Sequence, residues 1–490
     1  MNINSHFYIG SYFFVPKHKI TKYQHNKIQK DLIAKPKASN SLYTQDPYKI
    51  YSENKKYFGI PRYYGLTHFG LPKKIIVGHV PMNPNIRFIG KLYTSKYNNQ
   101  QYIANICIQK MTKYCIGQGI LVIPTGCGKT ITALYIACKL KLKTFIIVNS
   151  DILFQQWINR IQQFVKNAKI GVIRSKDCQI KSYDIVIGMV QSFLRNKYDN
   201  LKLFGMVILD ECHRAPAKSY INVIYKLQPK YLLGLSATPY RPDGLFNVLE
   251  WMIGPILYKQ TTRPPEKVMV FINKISYKHF NIKYINKFTK IPNKSKMENN
   301  IFKNMKRNCI ICNNIFNIFI KSKVCRKFLI FTSRVDHIQI LKDILKPKIM
   351  QYMKDIYRIL SNIFQECHIK DNILSFILPT NLTLWFGELH GRIKKKDRPK
   401  QEYKQFLFVT YHIAKEGLDL KGFNTGIFTM PIGNITQVMG RILKRGNDPK
   451  QCPIIMDLVD NISLFWRLGK KRINVYKQHK FIIKNDSYSI

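Results

Sequence analysis

Gly119-Ile120-Leu121-Val122-Ile123-Pro124-Thr125-Gly126-Cys127-Gly128-Lys129-Thr130-Ile131-Thr132-Ala133-Leu134 is the stretch that decides how this chain folds. It opens on an apolar, β-branched run, which reads as a buried strand. The residues from Ile131 to Ala137 read as a helix. Between the two lies a turn in which Gly126 and Gly128, lacking a Cβ, let backbone N–H groups wrap closely around an anion. Lys129 has the reach for β- and γ-phosphates, and the Thr130 hydroxyl is a ligand for Mg²⁺. The helix that starts there turns its positive dipole end toward the same anion. Pro124, Thr125 and Cys127 complete a loop that implies ATP and Mg²⁺ as cofactors. One position departs from the G-x-x-x-x-G-K-[ST] pattern: Ile123 stands where its first glycine would be.

A second segment, Asp210-Glu211-Cys212-His213, follows the apolar run Met206-Val207-Ile208-Leu209. It supplies a metal-side carboxylate, Asp210, and an adjacent Glu211 that can orient or deprotonate an attacking water. Further strands are expected at 144–148, 184–188 and 231–235, alternating with helices, one of them at 153–164. Such alternation builds a parallel sheet with its ligands at the carboxyl ends of the strands. The motifs fall at those ends. A second α/β pattern begins with a helix over 301–320 and continues with strands at 327–331 and 406–410. The chain therefore divides into an N-terminal region (1–95), a first α/β domain (96–258) and a basic linker (259–300). A second α/β domain (301–475), with a helical insertion near 348–380, and a basic tail (476–490) complete it.

The 490 residues allow two or three domains with ample core. Lys and Arg number 80 against 27 Asp and Glu, a formal net charge of +53. Part of this excess follows from a general bias toward Lys, Asn, Ile and Tyr, yet a chain so basic binds phosphate backbones whatever the origin of the bias. The 11 cysteines are scattered, several inside apolar patterns, as expected of thiols in a reducing compartment. Cys309 and Cys312 have metal-ligand spacing but apolar spacers and no second pair, so they read as core. Neither a signal peptide nor a bilayer-spanning stretch is visible, and an intracellular, soluble protein is expected. In the N-terminal region aromatics interleave with basic residues, as in Tyr57-Phe58-Gly59-Ile60-Pro61-Arg62-Tyr63-Tyr64. Stacking on bases and the core of a small β-rich domain both account for this pattern, the core reading being the better.

These segments, in this order, resemble the superfamily 2 helicases and translocases over residues 97–457. Pro124 to Thr130 is similar to that family's phosphate loop in its P-T-G-x-G-K-T form, and Asp210 to His213 to its D-E-x-H motif. The run from Gly234 to Gly244 resembles the DNA-directed branch. That branch holds the TFIIH repair translocase, UvsW-like phage helicases and helicases of large cytoplasmic DNA viruses, the poxvirus transcript-release helicase among them. The resemblance implies two RecA-like parallel-sheet domains in tandem behind a small N-terminal β-rich region. It also implies ATP-driven movement along single-stranded or duplex DNA, in contact with transcription machinery and located in host cytoplasm or virion. RNA as the track is an alternative, and a non-catalytic DNA-binding protein on the same fold is another.

The residue roles follow the motifs. Glu211, Lys129, Arg441 and Lys444 are the expected catalytic groups. ATP falls to residues 124–130, to Gln437 and Arg441, and to Gln100 or Gln101 at the start of a helix, where a glutamine is placed to read an adenine edge. Thr130 and Asp210 take Mg²⁺. His213, Ser236, Ala237, Thr238, Gly417 and Asp419 are expected to couple nucleotide to strand, and Gln156, Trp157, Gln191, Ser192 and Arg334 to touch nucleic acid. The family's Gln-x-x-Gly-Arg-x-x-Arg segment ends here in Lys444, with Arg445 one residue later. Lys keeps the charge but loses the planar fork, so Lys444 is expected to act as a weakened finger and Arg445 to bind DNA.

Overall fold

In the computed structural model, the described residues are 7–37, 46–95, 98–174, 177–195, 198, 200–240, 243–260, 267–277, 292–322, 326–366, 385–394, 397–415, 420, 422–442 and 452–489. They form two compact units, Met1–Pro264 and Pro265–Ile490.

The first unit is built on an eight-stranded sheet. From one edge its strands are Asp177–Cys178, Ile170–Arg174, Ile185–Met189, Thr144–Val148, Met206–Leu209, Tyr231–Ser236, Gly117–Val122 and Ile256–Lys259. All neighbours are parallel except the short edge pair at 174/177. The central strands are buried along their whole length, as their mostly apolar sequences suit a sheet covered on both faces. Register matters for function. Val122 lies beside Ser236, Leu209 beside Gly234 and Ile147 beside Leu209, so the segments that begin at Ile123, Ala237 and Asp210 leave the sheet side by side.

The N-terminal residues form a five-stranded sheet in the order Ser52–Glu53, Tyr57–Ile60, Phe13–Pro16, Tyr8–Ile9 and Lys74–Ile75. The aromatics of this region are largely core: Phe7, Phe13, Phe58 and Tyr64 are buried in one cluster with Val207 and Leu209 of the large sheet and Cys212 in the turn after it. The expected β-rich N-terminal region is present, and it shares the first unit's core.

The second unit has a seven-stranded, all-parallel sheet. Its order is Phe386–Leu389, Phe406–Thr410, Phe328–Thr332, Thr425–Phe428, Ile454–Asp460, Met269–Ser276 and Ile482–Ser489. Two expectations are corrected here. The stretch read as a linker contributes the strand Met269–Ser276, and the stretch read as a basic tail contributes Ile482–Ser489, paired along its length with it. The helix expected over 301–320 is two, Lys294–Lys303 and Met305–Lys321, broken at Asn304, whose side chain accepts from Arg307 N and caps the second. The helix Val335–Glu366 covers the start of the expected insertion, and residues 367–380 lie outside the described ones.

Two buried ion pairs tie helices to this sheet. Arg307 Nε meets Asp460 at 2.8 Å with both side chains fully buried, and Tyr277 donates its hydroxyl to the same carboxylate at 2.5 Å. Arg472 meets Asp457 at 2.8 Å, with Tyr476 donating to that carboxylate at 2.9 Å. Removing one member of such a pair strands the other charge away from water. Asp460→Ala is expected to destabilise the second unit by about 3–5 kcal/mol. Thermal unfolding checks this: the second unit should melt ~10 °C lower, against no shift for an exposed pair such as Arg174 with Asp151.

Candidate nucleotide-binding site

The phosphate loop leaves the strand Gly117–Val122 and enters the helix Lys129–Leu140. Gly126 and Gly128 have φ of 86° and 88°, the left-handed region that glycine enters without strain. A Cβ at Gly128 would sit 1.9 Å from the Gln100 side chain, so glycine is required twice over at that position. Ile123, in place of the first glycine, is fully buried and donates its N–H to Ser236 O at 3.1 Å. It closes the strand end by packing, while the Cys127 N–H turns back to Pro124 O at 3.2 Å. Lys129 lies on the loop, its Nζ donating to Ile123 O at 3.3 Å, and Thr125 and Thr130 are half-buried in the same turn.

Gln100 is fully buried and braces the loop. Its Oε1 accepts from Tyr93 N at 3.0 Å, and its Nε2 donates to Cys127 O at 3.1 Å. This corrects the expectation that it reads an adenine edge: both ends of its carboxamide hold backbone. Gln101 instead donates to Asn105 and to the Tyr135 hydroxyl.

Asp210 stands at the end of the strand Met206–Leu209, 5% exposed. Its Oδ2 accepts from Trp157 Nε1 at 2.8 Å and its Oδ1 from Glu211 N at 2.9 Å. Trp157 is 1% exposed, on the buried face of the helix Asp151–Phe164 with Phe154 and Ile161. It orients Asp210 and is not a nucleic-acid contact; a Trp at the i+3 position of that apolar face was the signal. Glu211 has a φ of 50°, rare for a residue with a Cβ, and this turns its side chain back toward His213. His213 Nδ1 lies 3.3 Å from Glu211 Oε2 and 3.2 Å from Ser236 Oγ, which in turn accepts from Thr238 N at 3.1 Å. Glu211, Ser236 and Thr238 thus gather around His213, whose Nδ1 faces both the Glu211 carboxylate and the Ser236 hydroxyl, with Ala237 between Ser236 and Thr238.

Burial, and after it the neighbouring Glu211 charge, push the Asp210 carboxyl up to about 6, against weaker pulls from Trp157 and Lys129. The unfolded chain loses this proton near pH 4. From about pH 4 to 6 the folded state therefore keeps a proton that the unfolded state has released, and this group's contribution to stability falls as pH rises through that window. Asp210→Asn removes this titration and is expected to make stability less dependent on pH between about 4 and 8 than the parent's, while its amide accepts on one oxygen where the carboxylate accepts on two. Thermal melts of both proteins at the two pH values check this. The same substitution removes a hard oxygen ligand. Two adjacent carboxylates facing one lysine, with a threonine hydroxyl opening the helix, suit a divalent cation that neutralises them.

The other expected contacts are less concentrated. Gln191 is exposed and donates to Asn149 O at 3.2 Å; Ser192 is buried; Gln156 is half-buried. Arg334, in the second unit, donates to Ser295 Oγ at 2.7 Å and lies 3.6 Å from Glu298, bracing the helix Lys294–Lys303. Gln437 and Arg441 belong to the helix Thr436–Ile442, their side chains outside the described residues. Gly417, Asp419, Lys444 and Arg445 lie outside the described residues as well.

Two parallel α/β units, the first carrying a phosphate loop beside an Asp-Glu pair at its strand ends, define a tandem RecA-like helicase fold. A family model described as type III restriction enzyme, res subunit, matches residues 94–241. A protein of Acanthamoeba polyphaga mimivirus named "Putative ATP-dependent RNA helicase" is 31% identical over 484 residues, 96% of this chain and 85% of the relative. An African swine fever virus protein of the same printed name is 23% identical, covering 79% of this chain and 74% of its own. Saccharomyces cerevisiae Dbp5 bound to RNA and ADP BeF3 has a similar fold, with a TM-score of 0.51 and 12% identity over 81% of this chain and 90% of that one. The chain belongs to the ATP-dependent helicases of large DNA viruses represented by the mimivirus protein. Among the described residues no helix is long and apolar enough to cross a membrane.

Proposed function

We propose that this enzyme couples ATP hydrolysis in the first unit's site to movement along nucleic acid, with DNA as its track. The observation that carries the hydrolytic part is the Asp210, Glu211, His213 and Ser236 cluster beside the phosphate loop. When bound, Mg²⁺ supplies charge neutralisation to the ATP phosphates, with Thr130 and Asp210 as its holders. Trp157 fixes the Asp210 carboxylate, Lys129 meets the outer phosphates, and Glu211 takes or orients a proton of the attacking water. His213 passes the position of Glu211 to Ser236 and Thr238, which gives the hydrolytic site a mechanical outlet. Arg441, Gln437 and Lys444 are further ATP-contacting residues in this reading, with Gly417 and Asp419 coupling to the strand, and transcription of a viral genome is a fitting setting.

DNA is favoured by the restriction-subunit model over the first domain and by the run from Gly234 to Gly244. A second reading, RNA, is favoured by the names of the mimivirus and African swine fever virus relatives. ATP turnover at saturating single-stranded DNA, duplex DNA and RNA separates them. The DNA reading expects kcat stimulated by DNA about tenfold more than by RNA of the same length; equal or greater stimulation by RNA overturns it.

A further inference from the structure

We infer that the N-terminal module positions the hydrolytic site, by gripping the segment 216–229 that joins Glu211 and His213 to the strand of Ser236. The inference rests on the reading of that site given above.

The segment packs on the first unit's core through Tyr220, Ile221, Val223, Ile224 and Leu227, and Lys226 donates to Phe193 O at 2.7 Å, but its backbone at both ends is held by the module. It follows the short turn Cys212–Arg214, carries the brief helix Lys218–Ile224, and re-enters the sheet at Tyr231. The module holds it at four places. Two tyrosine hydroxyls cross the boundary in opposite directions: Tyr48 donates to Pro216 O, and Tyr225 donates to Ile50 O. Tyr12 stacks on Tyr225 with ring centroids 3.9 Å apart and planes 21° from parallel. Gly78 donates its N–H to Gln228 O at 2.6 Å, and a Cβ at Gly78 would lie 2.3 Å from Phe204 O, so this approach is open to glycine alone.

Arg62 adds a fourth kind of contact. It is 5% exposed, donates Nη1 to Pro229 O at 2.8 Å, and has a buried Nε without a hydrogen-bond partner. Burial pulls its guanidinium down to about 10. A module needed only as a cover would gain from an apolar residue there, because a buried cation without a carboxylate is costly. The guanidinium is directed at the carbonyl two residues before the strand that ends in Ser236.

The consequence is mechanical. Glu211 sits in a left-handed conformation, which persists only where its surroundings hold it. The chain downstream of it is fixed by the module at Pro216, Tyr225, Gln228 and Pro229, and the contact of His213 with Ser236 spans the two ends of that segment. Tyr48, Tyr225 and Arg62 are thus positioning residues. They touch neither nucleotide nor water, and act through the backbone that carries Glu211, His213 and Ser236.

The test uses the full-length chain with Tyr48→Phe combined with Tyr225→Phe, which keeps both rings and removes only the crossing hydroxyls, and separately Arg62→Met. ATP turnover is measured well below the melting temperature at saturating nucleic acid, with amide hydrogen exchange of residues 211–214 and of the strand Thr144–Val148. The expected result is kcat lowered about five- to tenfold with KM for ATP unchanged within about twofold. Exchange at 211–214 should be about tenfold faster, with the strand unaffected. A lowered melting temperature with kcat unchanged, a rise in KM alone, or unchanged exchange at 211–214 overturns the inference. Should the parent chain itself not turn over ATP, the reading of the site fails, and exchange at 211–214 decides the grip of the module by itself.

Discussion

Lys129→Ala is expected to abolish ATP turnover and to leave nucleic-acid binding nearly intact. Lys129 opens the helix Lys129–Leu140 and lies against Ile123 O, where its ammonium is held over the loop. No other basic side chain of the loop stands in for it, since the residues from Pro124 to Gly128 are uncharged. Loss of one preorganised cation from developing phosphate charge costs at least about 100-fold in kcat. Nucleic-acid affinity draws instead on charge spread over 80 basic residues, of which this is one. Steady-state ATPase and a fluorescence titration with labelled DNA check both halves. A variant that hydrolyses ATP like its parent refutes the phosphate-loop assignment.

Glu211→Gln is expected to bind ATP and nucleic acid and then stall. Gln preserves the shape and the left-handed backbone to within the cost of any β-carbon residue, but it cannot accept a proton. Turnover should fall ~100- to 10,000-fold, with ATP affinity equal to or tighter than the parent's. Single-turnover kinetics with a nucleotide-binding titration read the two quantities. Unchanged turnover removes Glu211 from the chemistry. Because His213 lies 3.3 Å from this carboxylate and 3.2 Å from Ser236, the stalled protein should also be locked in its ATP-bound affinity for the strand.

The phosphate loop and the Asp-Glu pair were legible because each is punctuation at the end of a long apolar run. The runs at 144–148, 206–209 and 406–410 became strands with those same bounds. Reading was poorer where two uses compete for one residue type. The place of Trp157 in a motif suggests a strand contact, but the apolar spacing Phe154, Trp157, Ile161 puts it in the core, where its indole N–H finds Asp210. Gln100 was read for its amide's ability to recognise a base, and backbone at Tyr93 and Cys127 claims both ends of that amide. The strands Met269–Ser276 and Ile482–Ser489 were hidden by flanking basic residues, although Val270-Phe271-Ile272 is an apolar run in its own right. Their partnership is non-local, 269 with 482, which no window along the chain reveals. The grip of the N-terminal module is of the same kind: Tyr48 with Pro216 and Arg62 with Pro229 join distant residues through backbone carbonyls, which carry no sequence signature.

In the function proposed here, ATP hydrolysis at the Lys129, Asp210 and Glu211 site moves this protein along nucleic acid. Displacement of a labelled strand or of a roadblock from a DNA track, followed with ATP and with a non-hydrolysable analogue, tests it most directly. Displacement is expected with ATP at a rate that scales with nucleic-acid-stimulated turnover, and none with the analogue or with Lys129→Ala. Equal displacement with ATP and with the analogue, or ATP turnover indifferent to nucleic acid and without displacement, would contradict it.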